Sequence, residues 1–283
     1  MSLAPHKTLI VIPVYGAWDY LVKAFESIAK YTPVELYSIV LIYNPNPEDS
    51  DITRIADCPS IEFAILSLCS RLLPVNDIDV HVLPQRENQG VSKSWNIGIR
   101  EGLAYKNAYY DSFLFYNTDV VVFDQWLTSL REVMFASRPK PYCVQPILTE
   151  DGEPQPENIL SKIKNRKPIL ELAPGLNGPC FMLSRECVQD IGLFDENYRY
   201  GFYEDTDYLM RIREFGQQPV TAMQAYVHHY HAKSRSGMKD WESIQRNNKR
   251  YFEKKWSVFL PGSLDCKTFP DIERLRVECG YSY

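Results

Sequence analysis

The sequence predicts an α/β fold with a mixed, mostly parallel sheet flanked by helices, and three observations support this prediction. Apolar, β-branched runs alternate with amphipathic helical segments through the first half of the chain, which is the order of a βαβ sheet. Several of these runs are apolar throughout, as in strands that are buried on both faces. Polar residues follow each run directly, at the sheet edge where such folds bind their ligands.

The first two apolar runs predict a βαβ unit. Residues 8–14 (TLIVIPV) are typical of a buried parallel strand. A helical pattern follows over residues 17–30, and the second apolar run is Tyr37–Tyr43. Strand, helix and strand within about 35 residues predict a parallel pair with a right-handed crossover.

Two further strands complete this half of the chain. Residues 79–83 (DVHVL) and 112–116 (SFLFY) predict strands, and a helical pattern begins at Gly90 between them. Residues 51–77 have a mixed pattern, which we interpret as a helix with a Pro-bounded insertion. Four strands that alternate with helices make residues 8–122 a Rossmann-like half of the nucleotide-binding type.

The second half of the chain has a less regular pattern. The predicted elements are strands at 142–145 and 220–231, a turn and strand over 175–184, and helices at 203–215 and 241–256. Residues 148–168 are polar and rich in proline, which predicts a solvated loop. Because no repeat, linker or shift in composition separates the halves, we expect one domain over residues 1–256. Its halves would be 8–122 and 123–256, and residues 257–283 would be a C-terminal extension.

Composition excludes several classes of protein. Of the 283 residues, 45% are hydrophobic and 24% are charged, as in globular rather than disordered chains. A net charge of −5 gives no chain-wide basic footprint for nucleic acid. No apolar run approaches the ~20 residues of a transmembrane segment, and no signal-peptide core is found. Seven cysteines without a CxxC pair predict reduced thiols, so we expect a cytoplasmic protein and leave peripheral membrane contact and oligomeric state open.

One acidic cluster follows the fourth predicted strand. Asn117-Thr118-Asp119 lies between the apolar runs FLFY and VVVF. In an extended segment, Asn117 and Asp119 would lie on the same side and would suit Mg²⁺ or Mn²⁺ shared with phosphate oxygens. The alternative is an Asx-turn, in which Asp119 bonds to its own backbone.

A second acidic cluster opens the helix predicted at 203–215. Glu204, Asp205 and Asp207 stand in its first turn, and Asp195 precedes them among aromatic residues. Carboxylates at this place complement the helix dipole, so capping alone would explain them. Aromatic surroundings would also raise a carboxyl pKa toward the range of a general base.

Three histidines end the last predicted strand. By strand alternation, His229 and His231 share one face and His228 occupies the other. One face could present an imidazole to a metal or a phosphate, whereas a lone histidine is usually structural. Neither an HExxH nor a CxxC motif supports a zinc site.

The order of these motifs carries a family resemblance. The motifs are Pro13-Val14-Tyr15, Asn88-x-Gly90, Asn96-x-Gly98, Asn117-Thr118-Asp119, NGPCFMLSRE, GLFDENYRYGFYEDTDYLMRIREFG and HHYHAKS. From about residue 8 to residue 236, the chain resembles the family 2 inverting glycosyltransferases with the GT-A fold, in their rhamnosyltransferase-like, non-processive branch. The GLFDE to EDTDYLMRIREFG block is the most specific part. The QxxRW motif of processive members has no match at Gln245.

The resemblance implies a role for each position. Asp205 would be the catalytic base beside Glu204, and Asp119 and His229 would hold Mn²⁺ or Mg²⁺, with His231 as the alternative to His229. The residues that would bind the nucleotide-sugar are Pro13, Tyr15, Asn44, Asn88, Gly90, Asn117, Asn177 and Gly178. Asn117 replaces the first Asp of the family's DxD motif. Asn44 replaces an acidic residue, so the base of the nucleotide is not predicted.

The resemblance also implies the reaction. A sugar would pass from a UDP-, GDP- or dTDP-linked donor to a hydroxyl of a glycan or lipid-linked glycan, with inversion and with a metal ion, in surface glycan or polysaccharide biosynthesis. One alternative is a sugar-1-phosphate nucleotidyltransferase, but residues 15–19 (YGAWD) lack its glycine-rich, basic phosphate loop. The other is a GT-A module that binds a nucleotide or a glycan without catalysis.

Overall fold

The computed structural model describes residues 6–46, 49, 60–106, 108–150, 152, 154, 170–173, 175–231 and 240–256. The strands are β1 (His6–Val14), β2 (Tyr37–Tyr43), β3 (Val80–Pro84), β4 (Tyr109–Tyr116), β5 (Val120–Val122), β6 (Cys143–Thr149), β7 (Leu170–Leu172), β8 (Cys180–Ser184) and β9 (Val220–His229). The α-helices are α1 (Trp18–Tyr31), α2 (Ile61–Leu72), α3 (Gly90–Ala104), α4 (Trp126–Ala136), α5 (Arg185–Ile191), α6 (Glu204–Glu214) and α7 (Trp241–Trp256), and Val34–Leu36 form a 3₁₀ turn.

The described strands form one mixed sheet. Their order is β3-β2-β1-β4-β8-β6-β9-β5, and β7 pairs with β9 outside this path. β3, β2, β1 and β4 run parallel to one another, while β8 is antiparallel to β4 and β5 is antiparallel to β9. The predicted α/β fold with a mixed, mostly parallel sheet is therefore confirmed, and strands from both halves of the chain contribute to it.

The N-terminal half follows the sequence prediction closely, including its βαβ unit. β4 begins at Tyr109 rather than at residue 112, because the acidic Asp111 that interrupts the apolar run is neutralised inside the fold. The Arg131 guanidinium donates to both Asp111 oxygens, at 2.8 and 2.9 Å. α2 is the helix predicted within residues 51–77, of which 51–59 lie outside the described residues.

The second half departs further from the prediction. The sequence pattern did not identify α4, which begins after Gln125 in a left-handed conformation and without a capping side chain. The short elements β5, β7 and α5 were missed as well. β9 ends at His229 rather than at residue 231, because His231 has a φ of 55° and leaves the strand. Most of the loop 148–168 and the whole extension 257–283 lie outside the described residues.

Apolar layers cover both faces of the sheet. On β1, alternate side chains point to opposite faces, as the period of a strand requires. Ile10 and Ile12 belong to the layer that contains residues of α1, α2 and α4. Leu9 and Val11 belong to the layer that contains residues of α3, α5 and α6. This burial on both faces explains why β1 is an unbroken apolar run.

Two small residues let α3 lie close against β1 and β4. Gly98 faces Val11, and Gly102 faces Leu9 and Phe113. A methyl group added at Gly98 would overlap the Val11 side chain, which is fully buried. The close approach fixes the position of α3, whose first turn reaches the edge of the sheet where β1 and β2 end.

Two further expectations from the sequence concern the state of the cysteines and the presence of transmembrane helices. Cys69, Cys143, Cys180 and Cys187 are buried free thiols. In the described ranges, no helix is both long enough and apolar enough to cross a bilayer.

We expect Gly98→Ala to lower the free energy of unfolding by about 1–3 kcal/mol, because overpacking a filled interior has this cost. The higher helix propensity of alanine alone would raise the free energy of unfolding, by about 1 kcal/mol. A decrease in this free energy therefore identifies overpacking as the cause. Urea unfolding measures the effect. Lys93→Ala, at an exposed position of the same helix, is the control and should stay near wild type. A Gly98→Ala protein as stable as wild type would contradict the packing argument.

Candidate active site

A pocket of about 330 Å³ opens at the edge where β1, β2 and β4 end, and its volume is within the range of small-ligand sites. Every site residue predicted from the sequence lines it except Asn177. Those that line it are Pro13, Tyr15, Asn44, Asn88, Gly90, Asn117, Asp119, Gly178, Glu204, Asp205 and His229. The structure therefore brings together residues that are far apart in the chain, while their individual roles stay predictions.

Asn44 and Asn88 shape the wall of the pocket at the start of α3. The buried Asn44 donates from its amide to the Ile42 carbonyl at 3.1 Å and accepts the Gln89 N–H at 2.9 Å. Asn88 Oδ1 accepts the Gly90 N–H at 2.8 Å. Both side chains thus fix the backbone at the N-terminus of α3, where the helix dipole favours an anion.

The Asn117-Thr118-Asp119 segment forms a turn between β4 and β5, so the assumption that it is extended is wrong. The Val120 N–H donates to the Asn117 carbonyl at 3.3 Å and closes the turn. β5 pairs with β9 so that Val120 lies opposite His229, which brings Asp119 to the end of β9. Asn117 and Asp119 nevertheless line the same pocket.

His229 lies between two carboxylates. Its Nε2 is 3.3 Å from Asp119 Oδ1, and its Nδ1 is 3.0 Å from Glu150 Oε1. Burial alone would lower the pKa of His229, but hydrogen bonding to Asp119 and the charge of Asp119, followed by those of Glu150, raise it above its usual value. The imidazole is therefore protonated over more of the neutral range than a free histidine.

The other two histidines of the motif have different surroundings. His228 lies on the opposite face of β9, where its Nδ1 is 3.1 Å from Thr149 Oγ1. The His231 ring lies 5.4 Å from the His229 ring, centroid to centroid, although His231 is outside the strand. Because His229 contacts Asp119 directly, the geometry favours His229 over His231 as the histidine beside Asp119.

Asn117, Asp119 and His229 offer the donor types that suit Mn²⁺ or Mg²⁺. Carboxylate and amide oxygens are hard ligands, and imidazole is acceptable to the transition metal. Magnesium-type ions in proteins commonly use one or two carboxylates, and phosphate oxygens and waters complete the coordination. The described residues contain no group of three or more Asp, Glu, His or Cys side chains placed to hold an ion together.

Glu204 and Asp205 begin α6 and face the pocket. Glu204 is 6% exposed, and its Oε2 has no hydrogen-bond partner among the described residues. Asp205 Oδ1 accepts the Thr206 N–H at 2.7 Å and the Thr206 hydroxyl at 3.2 Å. Loss of water raises the pKa of both carboxyls, and the charge of Asp205 raises the pKa of Glu204 further. These raised pKa values are in the direction that a general base needs, and the role of either acid stays a prediction.

Gly178 and Asn177 contribute in different ways. A methyl group at Gly178 would overlap Asp205 Oδ2, so the missing side chain is what admits the carboxylate. Asn177 lies behind this wall, where its amide donates to the Pro146 carbonyl at 2.9 Å and its N–H donates to Gln145 Oε1 at 2.7 Å. Asn177 therefore fixes the turn that carries Gly178, and its predicted contact with the sugar stays untested.

The remaining acids of the second cluster are structural. The fully buried Asp207 accepts the Tyr198 hydroxyl at 3.0 Å and the Trp256 indole N–H at 2.9 Å. The Lys255 ammonium lies 2.7 Å from Asp207 and also 2.7 Å from Asp195. These contacts attach α7 to α6, which explains why the cluster holds more carboxylates than a helix cap needs.

Sequence reasoning missed several residues of the pocket wall. They are Val91, Trp95, Thr118, Tyr200, Gly201, Phe202, Tyr203, Thr206 and Gln245. The stretch RYGFY before Glu204 lies inside the block from GLFDE to EDTDYLMRIREFG, so the family resemblance was the one signal for this part of the wall. Gln245 was considered only as part of the absent QxxRW motif, although its helix reaches the pocket.

Solved structures of similar fold include glycosyltransferases. GalNAc-T7 in complex with UDP, GalNAc and Mn²⁺ is 16% identical, with a TM-score of 0.60, and the match covers 99% of this chain and 55% of that one. The mannosyltransferase PcManGT from Pyrobaculum calidifontis, in complex with GDP-Man and Mn²⁺, is 14% identical, with a TM-score of 0.62 and coverages of 98% and 71%. TarS 1–349 from S. aureus, in complex with UDP-GlcNAc, is 15% identical, with a TM-score of 0.54 and coverages of 87% and 66%. The chain thus spans about half of GalNAc-T7 and two thirds of that TarS fragment.

At these identities, the similarity shows the fold alone. No curated protein sequence matches the chain significantly. The model of the family described as Glycosyl transferase family 2 matches residues 9–192, well over half of the chain. The resemblance seen in the sequence is therefore confirmed at the level of the family and of its GT-A fold: the chain belongs to glycosyl transferase family 2.

Proposed function

We propose that the chain transfers a sugar from a nucleotide-sugar donor to an acceptor hydroxyl, with inversion at the anomeric carbon and with a divalent cation. The observation that carries the proposal is a single pocket with a desolvated carboxyl pair, Glu204–Asp205, and a second carboxylate, Asp119, bonded to His229. The nucleotide-sugars and Mn²⁺ in the similar structures support it. The order of the sequence motifs favours a non-processive, rhamnosyltransferase-like enzyme of surface glycan synthesis, located in the cytoplasm.

Asp205 is the proposed base. Two hydrogen bonds from Thr206 favour the charged form of Asp205, whereas Glu204 Oε2 has no donor among the described residues, so we assign the ionised carboxylate to Asp205. Asp205 Oδ1 is occupied by Thr206, and Oδ2 lies beside Gly178 at the pocket wall. Oδ2 is therefore the atom that accepts the proton of the acceptor hydroxyl.

The displacement follows from this placement. The acceptor oxygen forms its bond to the anomeric carbon as the bond from that carbon to the diphosphate oxygen breaks. The hydroxyl proton goes to Asp205, and the electron pair of the broken bond leaves with the nucleoside diphosphate. Attack from the face opposite the leaving group inverts the carbon. The N-terminus of α3 faces the pocket at Gly90 and favours the negative charge of the diphosphate.

Asp119 and His229, with Asn117, are the residues that would hold the cation. When bound, such an ion neutralises the charge that grows on the leaving diphosphate. His229 must release its proton and its bond to Asp119 before its Nε2 can become a ligand, so cation affinity is linked to pH. Glu150 is placed to keep the orientation of the ring through Nδ1.

The two carboxyls of the pair can be separated by substitution. We expect Asp205→Asn to reduce turnover by about 10²–10⁴-fold, the usual contribution of a general base, with unchanged affinity for the nucleoside diphosphate. Glu204→Gln copies a protonated carboxyl and should keep most of the activity. Release of UDP, GDP or dTDP from a donor panel, with glycan acceptors, measures turnover, and NMR of the product gives the anomeric configuration. The reverse order of activities would make Glu204 the base, and a retained configuration would exclude inversion.

The buried Glu204 also predicts a pH dependence of stability. Its pKa is raised in the folded state, so the folded protein binds the proton more strongly than the unfolded chain. Its contribution to stability is therefore present below the usual Glu pKa of about 4.3 and is lost as pH rises through the raised value. Glu204→Gln should raise the melting temperature relative to wild type by an amount that grows with pH. Glu132→Gln, at an exposed position of α4, should show a constant difference, and a constant difference for Glu204→Gln would refute burial of its charge.

Removal of the cation tests the proposed roles of Asp119 and His229. We expect a chelator, or Asp119→Asn, to abolish turnover, and Mn²⁺-dependent binding of UDP or GDP to weaken as His229 becomes protonated at lower pH. Calorimetry across a pH series measures binding. Asp124→Asn, at an exposed position nearby in the chain, is the matched control. Full activity in the chelator would reject metal dependence, and binding without turnover of any donor would favour the non-catalytic module.

A further inference from the structure

The loop that leads into Glu204 has a left-handed backbone over four consecutive residues. The φ angles are 62° at Tyr200, 138° at Gly201, 75° at Phe202 and 73° at Tyr203. For the three residues that carry side chains, this region is sterically unfavourable. Such a run persists only where the surrounding structure holds it in place, and the loop joins directly to the proposed base.

One buried side chain of α7 holds this loop. Asn248 is 4% exposed, and its Nδ2 lies 2.6 Å from the Gly201 carbonyl, 3.0 Å from the Arg199 carbonyl and 3.3 Å from the Phe202 carbonyl. Three oxygens around one atom require that atom to be the nitrogen, because an oxygen there could not donate. The Asn248 amide is therefore within hydrogen-bond distance of three backbone carbonyls of the loop.

Contacts with α6 fix the position of α7, the helix that carries Asn248. Two turns further along the helix, Lys255 and Trp256 bond to the buried Asp207 of α6. On the other side of the loop, the Tyr200 backbone lies so close to Gly90 that a methyl group there would be 2.7 Å from Tyr200 Cα. The loop is thus held between α7 and the N-terminus of α3.

The loop is joined directly to the helix turn that carries the carboxyl pair. Tyr203 is the N-cap of α6, and its carbonyl accepts the Asp207 N–H at 2.8 Å. If the loop relaxed to negative φ values, the first turn of α6 would rotate and Asp205 would leave its place beside Gly178. We propose that Asn248 is a positioning residue that keeps Asp205 in its productive orientation, an inference that rests on the proposed role of Asp205 as the base.

Two substitutions at Asn248 and two at its neighbour test this proposal. Asn248→Asp has the same shape but presents oxygens to three carbonyls, and Asn248→Ala removes the donor without adding charge. Asn247 is the next residue of the same helix and is exposed, so Asn247→Asp and Asn247→Ala are matched controls. Each protein is compared by melting temperature, by hydrogen exchange of residues 199–205, by kcat and KM for Mn²⁺-dependent donor turnover, and by calorimetric binding of UDP or GDP.

We expect both Asn248 variants to exchange faster within residues 199–205 and to lose about 10²-fold in kcat, as misplacement of a reacting group by an ångström can cost. Nucleoside diphosphate binding and the donor KM should stay at wild-type values, and both Asn247 variants should match wild type. A folded Asn248 variant with wild-type kcat overturns the proposal, as does a loss of kcat without faster local exchange.

Gly201→Ala reaches the same loop without altering Asn248. Its φ of 138° is unfavourable for alanine, so the same loss of kcat and the same local exchange are expected. If the Asn248 variants do not fold, a folded Gly201→Ala protein with wild-type kcat still overturns the proposal. If wild type releases no nucleoside diphosphate from any donor, the proposed function fails, whereas the exchange data still show whether Asn248 holds the loop.

Discussion

The antiparallel pairing of β4 with β8 is the interaction on which the pocket depends. β4 belongs to the first half of the chain and β8 to the second, and Tyr116 lies opposite Cys180 in their register. The pairing continues past the strands, since the Asn117 N–H donates to the Pro179 carbonyl at 3.0 Å. The turn that carries Asp119 and the turn that carries Gly178 are therefore neighbours, and Asp205 rests on Gly178. A shift in this register would separate the two acidic sides of the site.

Three of the buried carboxylates that the structure describes are paired with a basic side chain. Asp111 has Arg131, Asp207 has Lys255, and Asp119 has His229. Glu204 Oε2 has no donor among the described residues, and the same is true of Asp49 Oδ1, which lies outside the carboxyl pair. An unpaired buried carboxyl is costly when ionised. The place of Glu204 beside the proposed base fits the chemistry proposed for the pair.

The sequence predicted the strands and the clusters because these are local signals. Apolar runs identify β1, β2 and β4, and polar residues at their ends identify Asn44, Asn88 and Asp119. What the sequence could not show depends on contacts between distant residues. Asn44 lines the pocket as predicted, but the sequence could not show that its amide also bonds to Ile42 and Gln89. α4 lacked a capping residue and so gave no start signal.

The wall made by Tyr200 and its neighbours was hidden for a related reason. Its left-handed course is not favoured by its own residues, so no local rule could predict it. It becomes favourable only when Asn248 supplies a donor from one side and Gly90 leaves room on the other. Gly178 leaves similar room for Asp205. Two absent side chains therefore admit Tyr200 and Asp205 to the pocket wall, and in our proposal one amide of the last described helix orients the base.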